Sequence, residues 1–355
     1  MLVDIRLQKF RSYRDESIEL HDGVNIIVGP NASGKTNLLE ALLVLCRGNS
    51  FRAKDNELIA HGAQWARLDG HTPDGVRTVK FLPQENGAIK KEFVIGSQKL
   101  SRLSMQKTIP TILFEPNHLQ LLHGSPELRR DYIDGLLEQT LPFYAKARRD
   151  YKRALAQRNA LLKRGVSSSS QLFAWNVRLS EIGAILVRER QKLVLQINEK
   201  LPTLYKDLAH SKAASVHATY TTGFDIEQYS SALLRALEKR QAVDLERGFT
   251  TVGPHRDDLT ITFGKHQASQ VASRGETRTV LLALKVIELQ LIEETRSVKP
   301  LLLLDDVFSE LDGARRRALT EVIGGYQTFI TTTDADVVVQ HFMDRCAIIP
   351  TSSVN

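Results

Sequence analysis

The chain is 355 residues long and 42% hydrophobic, with a net charge of +7 and a pI near 9.3. These values exclude a disordered or collagen-like chain and give room for about two domains. The excess of base suits a polyanionic partner, and its position along the chain decides whether one is expected.

Cys46 and Cys346 both stand in apolar runs, without CxxC or His/Cys spacing, and read as buried thiols. No stretch reaches the ~18 apolar residues of a membrane span. The opening segment MLVDIRLQKFRSY alternates like a strand and lacks the apolar region of a secretory signal. A reducing cytoplasm, with no membrane partner, is expected.

The first 45 residues read as strand LVDIRLQKF, strand SIELHDG, strand VNIIV, a loop GPNASGKT and helix NLLEALLVLC. Between Ala66 and Leu103, short alternating runs broken by turn signals predict a small antiparallel sheet. TIPTILFEP adds a buried strand, and Pro126 opens a helical region. Tyr144, Tyr151, Leu155 and Leu162, then Leu172, Trp175, Leu179, Ile182 and Leu186, recur at helical spacing on either side of GVSSSS. They predict an antiparallel helical hairpin with helices of about 20 to 30 residues, an arm of about 30 to 45 Å.

From Tyr144 to Lys200 the sequence holds 13 Lys or Arg against 4 Asp or Glu, so the arm carries the positive charge and the rest is near neutral. Arg148, Arg149, Lys152 and Arg153 are the candidate phosphate contacts of a nucleic-acid surface. A solvated helix face is the other reading of such a run. Beyond Gly248 the pattern LTITF, SRGETRTVLLALKVIELQLIEE, LLLLDD, GARRRALTEVIGG, QTFITTTDA alternates strand and helix, as a parallel sheet does. The expected organisation is a sheet-containing part over residues 1–122, a helical arm over 123–243 and a return to the sheet over 244–355.

Gly29-Pro30-Asn31-Ala32-Ser33-Gly34-Lys35-Thr36, followed by Asn37, matches G-x-x-x-x-G-K-[ST] between a strand and a helix. Backbone N–H groups of such a loop cradle phosphates, Lys35 reaches the β/γ-phosphates, and the Thr36 hydroxyl can ligate Mg²⁺. The buried strand Leu301–Leu304 delivers Asp305 and Asp306 at its carboxyl end, the ligand-binding edge of an α/β sheet. Asp305 is assigned to Mg²⁺ and Asp306 to polarising the attacking water. Some 270 residues separate Lys35 from Asp305, so a large insertion splits the ATP site.

Ser273-Arg274-Gly275-Glu276, ahead of a long helix, resembles the Ser-Gly-Gly-Gln signature of ABC-type ATPases, with Arg274 and Glu276 as departures; helix capping by Ser273 is the alternative. Ser309 and Asp312 in SELD match the D-loop of that class. Its switch histidine is absent. The strand TFI runs into Thr331-Thr332-Thr333-Asp334, so Thr332 takes the place and slow hydrolysis is expected. Together with LQKFRSY, RGNSFRAKDNELI, FEPNHLQLLHGSPELRRDYID, VGPHRDDL and DDVFSELD, the whole chain resembles the RecF family of bacterial recombination mediators.

That resemblance implies an ABC-type ATPase head, similar to SMC heads without their long coiled coil, using ATP and Mg²⁺. It implies an ATP-dependent homodimer that binds double-stranded and gapped DNA, hydrolyses ATP weakly and works with RecR and RecO in loading RecA. It places Arg11 and Ser12 beside the nucleotide, the signature against the other subunit's phosphate, and a Q-loop residue among Glu115, Asn117 and Gln120. A transporter-type ATPase and a DNA-binding scaffold with a vestigial ATP site are the rival readings. Gly253-Pro254-His255-Arg256-Asp257-Asp258 reads as an internal charge network.

Overall fold

Ile5 and Leu7 alternate inward along β1 (Asp4–Phe10), and after a break at Lys9, which stands at φ +51°, Phe10 is fully buried too, so one face must be covered. The computed structural model describes residues 1–165, 169–209, 215–342 and 346–351. Its further strands are β2 (Tyr13–Glu19), β3 (Val24–Val28), β4 (Ala66–Thr72), β5 (Gly75–Pro83), β6 (Ile89–Ile95), β7 (Gln98–Leu100), β8 (Thr111–Phe114), β9 (Val216–Thr221), β10 (Asp258–Phe263), β11 (His266–Gln267), β12 (Leu301–Asp305), β13 (Thr328–Thr332) and β14 (Cys346–Pro350). The helices are α1 (Lys35–Arg47), α2 (Pro126–Thr140), α3 (Tyr144–Lys163), α4 (Ser169–Ala209), α5 (Tyr229–Lys239), α6 (Gln241–Arg247), α7 (Ala268–Val271), α8 (Arg274–Arg296), α9 (Val307–Glu310), α10 (Gly313–Ile323) and α11 (Ala335–Phe342).

Two compact units emerge: Met1–His118 with the chain from Glu288 onward, and Leu119–Ile287. In the first, a five-stranded parallel sheet has the order β14-β3-β13-β12-β8. A six-stranded antiparallel sheet runs β2-β1-β4-β5-β6-β7. Helix α1 buries ten of its 13 residues, because it is covered by both sheets. Leu38, Leu42 and Leu45 of α1 share one core with Leu7 and Phe81 of the antiparallel sheet and Ile27, Leu303 and Phe329 of the parallel one. A helix apolar all round is what a position between two layers requires.

In the second unit, α3 and α4 pack along each other, and a three-stranded antiparallel sheet β11-β10-β9 packs against α4 and α2. Helix α2 starts where Pro126 predicts, with the Ser125 hydroxyl accepting from the Leu128 N–H.

Several expectations are revised. The strand LTITF is β10, and it pairs antiparallel with β9 instead of joining the parallel sheet. Residues 244–287 therefore fold with the helical unit, and the return to the head falls at Glu288, not at 244. Helix α4 has 41 residues, about 60 Å at 1.5 Å per residue, longer than the 20 to 30 expected. Its buried row continues through Leu193, Ile197 and Leu201 to Tyr205, and Pro202 sits inside the helix without ending it. The expected small sheet over 66–103 is continuous with β1 and β2. Val166–Ser168 of the GVSSSS loop lie outside the described residues. Cys46 is fully buried, and burial pushes its thiol up to about 11, whereas Cys346 is only half-buried.

Candidate nucleotide-binding site

The phosphate-loop sequence occupies the turn from β3 into α1, at the carboxyl edge of the parallel sheet. Gly34 caps the helix at φ +95°, a left-handed conformation that costs a glycine little. Lys35 Nζ lies back over the loop and donates to the carbonyls of Gly29 and Pro30, both at 2.8 Å. Burial lowers its affinity for the proton, with Asp306 and Asp305 pulling the other way.

Strands β3 and β12 are separated by β13 alone, which brings Thr36 and Asp305 together across 269 positions: the Thr36 hydroxyl donates to Asp305 Oδ1 at 3.1 Å. The Thr331 hydroxyl donates to the same oxygen at 2.7 Å and accepts from the Asp306 N–H at 2.9 Å. Asp306 stands at φ +52° at the start of α9, and its Oδ1 is buried without a hydrogen-bond partner. A buried acceptor with no donor costs about 1 to 3 kcal/mol, so this oxygen is held ready for a group that can donate to it.

The hydroxyl that meets the acidic pair is thus that of Thr331, whereas Thr332 turns into a local loop with Asp334, donating to its carbonyl at 2.9 Å. All five residues of β13 are buried, so strand alternation gives no cue to which threonine faces the site.

Arg11 stands at φ +52°, held by its N–H to the Leu58 carbonyl. Its guanidinium forks onto Glu40 of α1 at 2.8 and 3.0 Å, and the Glu40 carboxylate is completely buried. Arg52 donates to the same carboxylate at 3.1 Å and to Asn37 Oδ1 at 2.6 Å. Burial would raise the Glu40 carboxyl, yet Arg11, Ser50 and Arg52 hold it below the usual range. Ser12 accepts from Asn37 Nδ2 at 2.8 Å and lies against Gly34, at the border of the loop. Glu40 and Arg52 escaped sequence reading; NLLEA and SFR carry them, without a spacing that announces the clamp.

Glu115 follows Phe114, the register partner of Leu304, and so stands at the same sheet edge as Asp305. Asn117 and Gln120 are exposed. Beyond β12, Ser309 donates to the Asp306 carbonyl at 2.7 Å. Asp312 caps α10 by accepting from the Arg315 N–H at 3.0 Å, and that bond holds its carboxyl below the usual range.

Within the second unit, Ser273 and Glu276 cap α8 reciprocally. The Ser273 N–H donates to Glu276 Oε2 at 2.8 Å and the Glu276 N–H to Ser273 Oγ at 3.2 Å, the capping box that explains an acid at this position. Arg274 and Gly275 form the first turn.

The arm's cations divide into two sets. Arg148 is enclosed by Asp131, Asp134 and Glu138, and Arg158 and Arg190 lie inside on Asp244 and Asp134. Arg148 is therefore not an outward cation, a correction that its place in a basic run could not reveal. Arg149, Lys152 and Arg153 are exposed on α3. The Gly253–Asp258 segment is an internal network, as read: Arg190 donates to the Pro254 carbonyl, Tyr220 to Asp257 and Arg129 to Asp258, with His255 against the Tyr151 hydroxyl at 2.9 Å.

The RecF/RecN/SMC N-terminal domain family matches residues 1–351. A DNA replication and repair protein RecF from Moorella thermoacetica is 34% identical, over 97% of this chain and 93% of its own. The chain belongs to the RecF family. A solved structure described as the recombination mediator protein RecF-ATP in the RecFOR pathway is 29% identical, with a TM-score of 0.84 over 94% of this chain and 92% of that one. An Smc head domain from Pyrococcus furiosus shares the fold at 16% identity and a TM-score of 0.53, covering 99% and 94% of the two chains. The family's α/β ATPase-head fold, with its helical insertion, is therefore that of this chain. Among the described residues no helix is long and apolar enough to cross a membrane.

Proposed function

We propose that this protein is an ATP-gated, DNA-binding recombination mediator, and the convergence of Thr36, Thr331 and Asp305 beneath the phosphate loop carries the reading. The loop N–H groups, the α1 N-terminus and Lys35 bind the triphosphate, which requires Lys35 to exchange two loop carbonyls for phosphate oxygens. Thr36 and Asp305 offer converging hard oxygen donors suited to Mg²⁺, which, when bound, neutralises charge on the β- and γ-phosphates. Thr36 and Asp305 are the two protein groups that would hold it, leaving room for oxygens of the nucleotide. The unpartnered Asp306 oxygen accepts from the attacking water and orients it toward the γ-phosphorus. Without a histidine at the end of β13 this step is slow, and ATP acts as a switch.

Two copies sandwich two ATP molecules, with Ser273 to Glu276 of one copy facing Lys35 and Thr36 of the other, and Ser309 and Asp312 at the crossing. Exposed Arg149, Lys152 and Arg153 hold double-stranded and gapped DNA by its phosphates, without reading bases. RecR and RecO are the partners, in a cytoplasmic pathway that loads RecA; family membership and the RecFOR pathway of the solved relative support this.

Light scattering tests the reading. The mass is expected to rise from 39.9 kDa to about twice that with ATP and Mg²⁺ in wild type but not in Lys35→Ala, with duplex retained by the dimer only. Mass and DNA binding indifferent to ATP would establish the scaffold with a vestigial site instead.

A further inference from the structure

The back of the phosphate loop is closed by a residue from the far end of the described chain. Strand β14 pairs in parallel with β3, with Pro350 opposite Val28, and carries Thr351 over the start of the loop. The Thr351 N–H donates to the Val28 carbonyl at 2.7 Å, and its hydroxyl lies 3.1 Å from the same oxygen and 2.7 Å from Ser33 Oγ. Ser33 is only 2% exposed, so the Thr351 hydroxyl meets it where water does not reach freely. A Cβ on Gly29 would stand 2.3 Å from Thr351 Oγ1 and 2.5 Å from the Thr351 carbonyl oxygen. The first glycine of the loop is thus required by the chain crossing over it, quite apart from phosphate.

We propose that Thr351 is a positioning residue of the nucleotide site: through Ser33 it fixes the curvature of the phosphate loop, and so couples nucleotide binding to the docking of β14. This rests on the nucleotide reading above. A loop whose N–H groups must converge on one anion loses affinity when its backbone wanders, and Ser33 immediately precedes Gly34 and Lys35. Coupling of this kind is reciprocal, so nucleotide must hold β14 in place as firmly as β14 holds the loop. Cys346, half-buried at the start of β14 and opposite Val24, reports the docking, while Cys46 is fully buried with its thiol pushed up to about 11 and stays silent.

The experiment uses the full chain and needs no hydrolysis. ATP affinity is measured for wild type, Thr351→Val, Thr351→Ser, Ser33→Ala and the Ser33→Ala/Thr351→Val double variant. Maleimide labelling of Cys346 is followed with and without ATP. Loss of the hydroxyl pair is expected to weaken ATP about 3- to 10-fold in Thr351→Val, as for one net hydrogen bond. Thr351→Ser stays within about twofold, and the double variant is no weaker than the worse single one. ATP is expected to slow Cys346 labelling in wild type and to slow it less in Thr351→Val.

Wild-type affinity in Thr351→Val, fully additive losses in the double variant, or labelling indifferent to ATP in a wild type that binds it would overturn the proposal and leave the nucleotide reading standing. A wild type that does not bind ATP would overturn both.

Discussion

Thr331 and Thr332 are adjacent, both buried and chemically identical, yet the first holds the acidic pair and the second closes a turn. Thr331→Val removes a donor to Asp305 and the acceptor of the Asp306 N–H, and is expected to lower Mg²⁺-dependent ATP turnover at least tenfold while leaving Mg²⁺-free nucleotide binding within about twofold. Turnover of Thr332→Val is expected to fall less, and a reversed ranking would reassign the position. Glu40 makes a second residue-scale case, because one buried carboxylate answers two guanidiniums. Glu40→Ala should cost about 2 to 3 kcal/mol in denaturant unfolding, less than for a fully buried pair because Arg11 and Arg52 keep some access to water. His255 sets a pH dependence: burial holds its imidazole down to about 4, so it stays neutral in the fold while the unfolded chain takes up a proton below about 6.5. Its contribution to stability is complete above that pH and is lost as pH falls toward 4, by up to about 3 kcal/mol. Unfolding at pH 7.5 and 4.5 should show a smaller drop in His255→Gln than in wild type.

At the scale of elements, helix α3 presents opposite fates on neighbouring residues. Arg148→Ala takes one cation from three carboxylates and is expected to lower stability, because the buried Asp134 is left with Arg190 alone. Arg149→Ala and Arg153→Ala should leave stability within about 0.5 kcal/mol and instead weaken duplex binding with a shallower salt dependence, by about one unit of slope per phosphate contact. A DNA titration over salt separates the two classes. The phosphate loop, β12 and α2 were legible in sequence because their signals are local: fixed spacing around two glycines, four leucines before two acids, a serine and proline at a helix start. What was not legible depended on partners distant in the chain. Arg148 reads as one of a basic run until α2 folds three acids around it, and the fork of Arg11 onto Glu40, 29 positions later, leaves no local signal. β9 was within reach, since Val216, Ala218 and Tyr220 alternate inward along VHATYT. It went unread because its pairing partner β10 looked like part of the parallel sheet. α4 outran its estimate because the periodic row was followed only to Leu186, whereas the buried row runs on through Leu193, Ile197 and Leu201 to Tyr205, and Pro202 costs one turn's hydrogen bond in a helix whose packing continues past it.

For the molecule as a whole, the count of 13 bases against 4 acids from Tyr144 to Lys200 overstates the charge a partner meets there, because arginines 148, 158 and 190 are neutralised by acids from outside that stretch. A salt dependence reflecting few phosphate contacts is therefore expected, well short of one contact per basic residue of the arm. The order β14-β3-β13-β12-β8 has a further consequence in time. β3 and α1 are made early, but every strand that pairs with β3 comes from beyond residue 327, and the first of them is β13. At roughly 5 to 20 residues per second of synthesis, the all-round apolar α1 waits some 15 to 60 s for its second covering layer. Residues 119–287, contiguous and rich in local helix contacts, complete themselves meanwhile. The sheet that carries the phosphate loop is thus the last part of this protein to be completed, and a chain that stops short of β13 is expected to show a finished helical unit beside an open, aggregation-prone head.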